Sequence, residues 1–292
     1  MTTPSAVGAG TWLWREGAIS EAQDAAWSGL DRAALYGDAL FETIRVAAGR
    51  AIELAAHLER MSRSARALGF PRIDDVETVG RNAVGGLVRH IEDRHAAHPA
   101  GIVRLTLSRG AGDWGFAPGE NLRSHLVAHW FPTPADFETR RSRGVRVWIA
   151  EGLAGGVFAG HKTASALVYV EARRRARALG FDEALLEDGE GGLAEASSAN
   201  LFAVIRDRII TPPTRLPLLP GIARRRILEI APAGAEERPL YPTDLDQASE
   251  AFLTNSVYGV VPIVEVRGRT LGNGATGSVA HSLSEALEAL WR

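Results

Sequence analysis

Gly160-His161-Lys162-Thr163-Ala164-Ser165 contains the only lysine of the 292-residue sequence; every other basic side chain is arginine or histidine. Exchanging lysine for arginine costs little where only positive charge is needed. It fails where a deprotonatable primary amine is needed, because a guanidinium stays protonated and forms no imine with an aldehyde. Lys162 is therefore read as a Schiff-base lysine, against the alternative of a chance survivor on the surface. The residues downstream decide between the two.

Strands follow Lys162 in quick succession, at Glu183 to Leu186, Asn200 to Ile205, Arg208 to Thr211, Phe252 to Thr254 and Val260 to Val266. Upstream, the pattern predicts a short hairpin over Trp12 to Ile19 and strands over Phe41 to Val46, Ile102 to Ser108, His125 to Phe131 and Val145 to Ile149. Leu54, Leu58, Met61, Ala65 and Leu68 recur at helical spacing, with Gly69 closing the helix. A second helix is expected from Asp74-Asp75 through Ile91, weakened by Gly85-Gly86. Further helices are expected from about Ser165 to Leu179, after Leu219-Pro220-Gly221, and over Ser282 to Trp291. Strands and helices mix without regular βα alternation, which predicts an α+β fold in two domains. The expected division is a small N-terminal domain (1–133), a connector (134–143, opened by Pro132-Thr133-Pro134) and a larger C-terminal domain (144–292).

Net charge is -2, so composition supplies no electrostatic case for nucleic acid or an anionic membrane. No apolar run reaches spanning length, and Met1 to Ala6 lack the pattern of a signal peptide, so a cytoplasmic location is expected. Cysteine is absent, excluding disulfides, thiolate zinc sites and a cysteine nucleophile. His90, His95 and His98 cluster near Pro99 and read as a solvated face; His125 and His129 share a strand face and read as structural. No metal site is expected.

An aldehyde cofactor bearing a phosphate and a pyridine ring needs more than a lysine. It needs an acid that keeps the ring nitrogen protonated and a phosphate cradle of backbone N–H groups with a cation. Glu195, among the small residues Ala194-Glu195-Ala196-Ser197-Ser198, is the candidate acid. Pro220-Gly221-Ile222-Ala223 opens a helix and is the candidate cradle. Thr254-Asn255-Ser256 offers hydroxyls and turn amides, and Arg60 a fork-shaped cation. Taken singly, Glu195 also reads as a solvated loop carboxylate and Arg60 as one more surface arginine.

In order along the chain, Tyr36-Gly37-Asp38, Phe41-Glu42-Thr43-Ile44-Arg45, His57-Leu58-Glu59-Arg60, Arg104 to Gly110, Lys162-Thr163, Asp182-Glu183-Ala184, Glu195 to Phe202, Leu219-Pro220-Gly221-Ile222 and Thr254-Asn255-Ser256 with Pro262 resemble the class IV (fold type IV) pyridoxal-phosphate enzymes. That family includes branched-chain and D-amino-acid aminotransferases, (R)-selective amine transaminases and aminodeoxychorismate lyase. The resemblance implies a small α/β domain and a larger domain with a barrel-like sheet, pyridoxal 5'-phosphate between them, and a homodimer whose partner subunit finishes the active site. It implies transamination of an amino acid or primary amine with a 2-oxo acid through a Lys162 internal aldimine. Glu195 would pair with the pyridine nitrogen, and Leu219 would lie against the ring. Arg60, the amides of Ile222 and Ala223, and Ser256 would hold the phosphate, with Ser198 also on the cofactor. Tyr36, Arg45, Arg104 and Trp114 would line the substrate side.

The family resemblance also marks two departures. Ala223 stands where members often carry threonine, so one hydroxyl contact is missing. The loop Arg109-Gly110-Ala111-Gly112-Asp113-Trp114-Gly115-Phe116 is similar to the Arg-Gly-x-Gly-x-Arg-Gly-Tyr loop of the lyases, but has Trp114 in place of the second arginine. Ser198 to Phe202 and Thr254 to Pro262 nevertheless look closer to the lyase branch. The readings carried forward are a transaminase, an aminodeoxychorismate lyase converting 4-amino-4-deoxychorismate to 4-aminobenzoate and pyruvate, and a non-catalytic relative that binds the cofactor.

Overall fold

The computed structural model describes residues 11–22, 28–71, 75–95, 99–112, 114–152, 154, 156–231 and 234–292. Two compact units emerge. One comprises the chain up to Pro134 together with Lys162–Ser165; the other comprises Ala135–His161 and Ala166–Arg292.

The first unit runs β1 (Trp12–Arg15), β2 (Ala18–Glu21), α1 (Arg32–Tyr36), β3 (Ala39–Ala47), β4 (Arg50–Ala51), α2 (Leu54–Ala67), α3 (Val76–His95), β5 (Gly101–Ser108) and β6 (His125–Pro132). Its six strands form an antiparallel sheet in the order β2-β1-β6-β5-β3-β4. Alternation along β3 turns Leu40, Ile44 and Val46 into a core with Leu58 and Met61 of α2 and Leu87 of α3. Phe41, Thr43 and Arg45, at the intervening positions, are only half-buried. The helix expected to end at Ile91 continues to His95 and runs straight through Gly85-Gly86. Gly86 lies beneath the Trp14 ring, where an added Cβ would come within 3.5 Å of it. The helix carries the pair despite the low helix propensity of glycine. Asp74 and His98, named in the sequence reading, lie outside the described residues, as do Met1 to Ala6 and Asp113.

The second unit runs α4 (Phe137–Arg143), β7 (Val145–Ala150), a 3-10 turn at Gly156–Phe158, α5 (Leu167–Ala178), β8 (Glu183–Glu187), β9 (Leu193–Ala196), β10 (Asn200–Ile205), β11 (Arg208–Thr211), α6 (Ile222–Ile230), β12 (Ala235–Glu237), α7 (Pro242–Leu245), β13 (Glu250–Asn255), β14 (Gly259–Val266), β15 (Arg269–Thr270) and α8 (Ser278–Trp291). Eight strands follow the order β12-β11-β10-β13-β14-β7-β8-β9, with β15 added on β14, in a curled half-barrel sheet. The stretch expected as a connector is largely helix α4. Phe137 there stacks on Tyr258 with ring centroids 5.7 Å apart, and Asp136 accepts a hydrogen bond from the Tyr258 hydroxyl at 2.9 Å. The terminal helix begins one turn earlier than expected, because Glu250 accepts hydrogen bonds from the N–H groups of Val279 and Ala280.

Candidate active site

Lys162 belongs to the first unit because its backbone pairs with β3. The Phe41 N–H donates to the Lys162 carbonyl at 2.9 Å, and the Ala164 N–H donates to the Ala39 carbonyl at 2.8 Å. These two hydrogen bonds, flanking a single bridge between Leu40 and Thr163, fix where the amine starts from. Its Nζ lies 4.5 Å from the centroid of the Phe41 ring, and the Arg104 guanidinium carbon lies 3.8 Å from that centroid. A cation gains from a ring face at such distances, so Phe41 holds two cations. Arg104 stands opposite Thr43 on one side and His129 on the other in the sheet register. Burial lowers the pKa of Arg104, and burial together with the Arg104 charge lowers that of His129. Arg45 lies on the same half-buried side of β3 as Phe41.

Arg60 is not a surface arginine. It is 4% exposed, on α2, and forks onto Glu42 of β3 through Nε (2.8 Å) and Nη2 (2.6 Å). His57, one turn earlier, reaches the same carboxylate through Nδ1 at 2.7 Å. Burial, the largest single influence, works to raise the pKa of Glu42, but the charge and hydrogen bonds of Arg60 and then His57 outweigh it and hold the carboxyl at about 2. Burial pushes His57 below its usual value, so the ring is neutral at pH 7. Because the folded pKa of Glu42 is depressed, its contribution to stability is present above the ordinary value of 4.5 and is withdrawn as pH falls toward about 2. Glu42→Gln is expected to start less stable at neutral pH and to lose less on acidification through that window. The difference is on the order of 3 kcal/mol, read as urea midpoints against pH; parallel curves would contradict it.

Tyr36 meets the loop that follows β5 through Phe116, their ring centroids lying 5.6 Å apart. Arg32 donates from Nη1 to the Gly115 carbonyl and from Nη2 to the Phe116 carbonyl, both at 2.8 Å, while its Nε binds Asp38 at 2.9 Å. The Gly115 N–H donates to the Tyr36 hydroxyl at 3.0 Å. These contacts tie the loop at Gly115 and Phe116 to α1. Trp114 is 91% exposed at its tip. Arg32→Ala is expected to raise amide hydrogen exchange across 111–119 by about tenfold or more, since it removes two charge-assisted hydrogen bonds. An equal rise in β3 and α2 would mean general loosening instead.

In the second unit Glu195 sits within β9, 5% exposed, and not in a solvated loop. Oε1 accepts from the Tyr169 hydroxyl at 3.1 Å and Oε2 from the Leu219 N–H at 3.0 Å. Burial and the neighbouring carboxylate raise the Tyr169 pKa, so its hydroxyl stays a donor. Leu219 leads through Pro220 and Gly221 into α6, whose start carries no side-chain cap. Gly221 is required there, because an added Cβ would collide with Asn200 Oδ1. Asn200 in turn donates from Nδ2 to the Leu219 carbonyl at 2.8 Å. Facing Asn200 in the sheet is Thr254, whose Oγ1 is buried without a hydrogen-bond partner. Asn255 accepts from the N–H groups of Val257 and Tyr258 at 3.0 and 2.8 Å, which shapes the turn that carries Ser256. Ser198 donates to Glu183 at 3.0 Å. A buried acid, uncapped helix amides at Ile222 and Ala223, and an unspent hydroxyl fit a ligand with a protonated ring nitrogen and an anionic tail.

Phe41, Glu42 and His57 entered the sequence reading only as parts of motifs, and Arg32 and Tyr169 not at all. Tyr169 left no local signal, being 26 residues from its partner. Glu42 left one, as a charge at a core position of an alternating strand. Among the described residues, no cluster of three histidine or acidic side chains is arranged to hold a metal ion.

The class IV amino-transferase family pattern matches residues 39–266. The chain is 28% identical over 276 residues to a putative branched-chain-amino-acid aminotransferase of Methanocaldococcus jannaschii, covering 94% of each protein. It is 29% identical over 238 residues to the aminodeoxychorismate lyase of Vibrio harveyi, covering 80% of this chain and 84% of that one. Among solved structures, a hypothetical aminotransferase from Mycobacterium tuberculosis in an alpha-ketoglutarate- and PMP-bound form matches with a TM-score of 0.84 at 25% identity, over 96% of this chain and 98% of that one. With the pattern spanning most of the chain and the fold shared end to end, the chain belongs to the class IV aminotransferases, a family of pyridoxal-phosphate enzymes.

Proposed function

We propose that this chain transfers an amino group between an amino acid or primary amine and a 2-oxo acid, with Lys162 as its catalytic residue. Pyridoxal phosphate supplies an aldehyde that takes up the amine and a ring that accepts electrons when the neighbouring carbon loses its proton. Lys162 anchors the cofactor and then, as a free amine, holds and returns the proton that moves in the transfer. Glu195 keeps the ring nitrogen protonated, with Leu219 against the ring. The amides of Ile222 and Ala223, Ser256 and Arg60 bind the phosphate, with Ser198 also on the cofactor. Tyr36, Arg45, Arg104 and Trp114 select the substrate, Arg104 and Arg45 being the candidate partners of a carboxylate. The observation that carries the proposal is Glu195, buried and hydrogen-bonded to the residue that leads into the uncapped start of α6.

Paired D- and L-amino acids and achiral amines test it. A shift of the cofactor absorbance from the pyridoxal to the pyridoxamine form, with stoichiometric keto product, is expected with at least one donor. No change with any of them would favour a relative that binds without turning over. The kinship with the Vibrio harveyi lyase supports a second reading, the elimination of pyruvate from 4-amino-4-deoxychorismate. Release of 4-aminobenzoate without any added oxo acid would select it.

The same reading places the enzyme in the cytoplasm as a homodimer, with domains at 1–133 and 144–292. The exposed Trp114, Phe116 and Leu35 support a covered apolar surface. Among the described residues no helix is long and apolar enough to cross a membrane. Light scattering that found a monomer at micromolar concentration would remove the dimer.

A further inference from the structure

Glu42 occupies a core-facing position of β3 between Leu40 and Ile44, where strand alternation calls for an apolar side chain. It is 1% exposed, and its partners Arg60 and His57 are 4% and 1% exposed. Each carboxylate oxygen takes a different nitrogen of the same guanidinium, Oε1 from Nε at 2.8 Å and Oε2 from Nη2 at 2.6 Å. Oε2 also meets His57 Nδ1 at 2.7 Å, which stops the carboxylate from rotating about its own bond. A guanidinium is planar, so holding one edge of it at two points fixes the direction of the other edge as well.

Two roles for such a carboxylate differ in sign. A plain counter-charge opposes any anion arriving at Arg60, so removing it would strengthen anion binding. An orienting group does the reverse, because without it a long side chain with several rotatable bonds loses its aim. The two-point grip and the third donor from His57 favour orientation, since neutralisation alone needs neither.

We propose that Glu42 is a positioning residue that aims the Arg60 fork at the cofactor phosphate, with His57 steadying the carboxylate. This rests on the reading of Arg60 as a phosphate ligand. The test is equilibrium dialysis of the full-length protein, cleared of cofactor, against pyridoxamine phosphate and against pyridoxamine, which lacks the phosphate. Glu42→Gln is expected to weaken pyridoxamine phosphate about tenfold and to leave pyridoxamine within about twofold. Arg60→Lys, which keeps the charge but loses the fork, is expected to do the same, and the double variant to fall no further. Unchanged or tighter binding of pyridoxamine phosphate by Glu42→Gln, with Arg60→Lys still weakened, overturns the proposal and leaves the phosphate assignment standing. Unchanged binding by Arg60→Lys overturns the phosphate assignment itself. Should Glu42→Gln not fold, Glu42→Asp retracts the carboxylate by one methylene and is expected to weaken binding in the same phosphate-specific way. Wild-type binding by that variant overturns the proposal equally.

Discussion

Lys162→Arg is expected to give a folded, colourless protein whose turnover is reduced on the order of 10^4-fold or more. The substitution preserves charge, and the strand pairing that holds the segment is unaffected, because Phe41 and Ala164 are bound through backbone atoms. Contact with the Phe41 ring also survives, since arginine sits on aromatic faces as readily as lysine. What disappears is the one primary side-chain amine of the sequence. Thermal unfolding within a few degrees of the parent, with loss of both the visible absorbance and the keto product, is the expected pattern. Retention of colour and turnover would place the reactive amine elsewhere.

The second large effect is expected at Glu195. Glu195→Gln has nearly the same shape and can still accept hydrogen bonds from Tyr169 and Leu219 through its carbonyl. It carries no charge, so it cannot stabilise a protonated ring nitrogen, and the electron-accepting power of the ring falls. Turnover is expected to drop about 10^2- to 10^3-fold, the scale for removing one oriented electrostatic partner from a buried site. Cofactor content, measured after alkaline release, is expected to stay near the parent value, because the phosphate contacts are untouched. Turnover within a few-fold of the parent would disprove the assignment, and loss of cofactor in proportion to activity would make Glu195 a binding residue only.

Much of this was legible in the sequence where physical signals are local. Asn200–Ile205 and Arg208–Thr211 are strands at the expected bounds, since each is a short apolar run set off by polar turn residues. Helix α2 follows from its apolar spacing and ends beside Gly69, whose φ is 63°. Signals that depend on distant partners were not legible. Helix α4 has one buried apolar side chain, Phe137, and its packing on Tyr258 joins residues far apart in sequence. Glu195 sits among small residues that read as a loop, and only Tyr169 and Leu219 make its burial tolerable. Arg60 read as a surface charge for the same reason. A buried cation needs its counter-charge, and Glu42 lay on another element, 18 residues away in the sequence.

The chain leaves the first unit at Pro134 and comes back to it for just four residues, Lys162 to Ser165, before departing again. Exchange of halves at the proline boundary would therefore part Lys162 from the strand that seats its backbone. Any exchange of these units keeps that backbone pairing only if the four-residue return passage travels with the first.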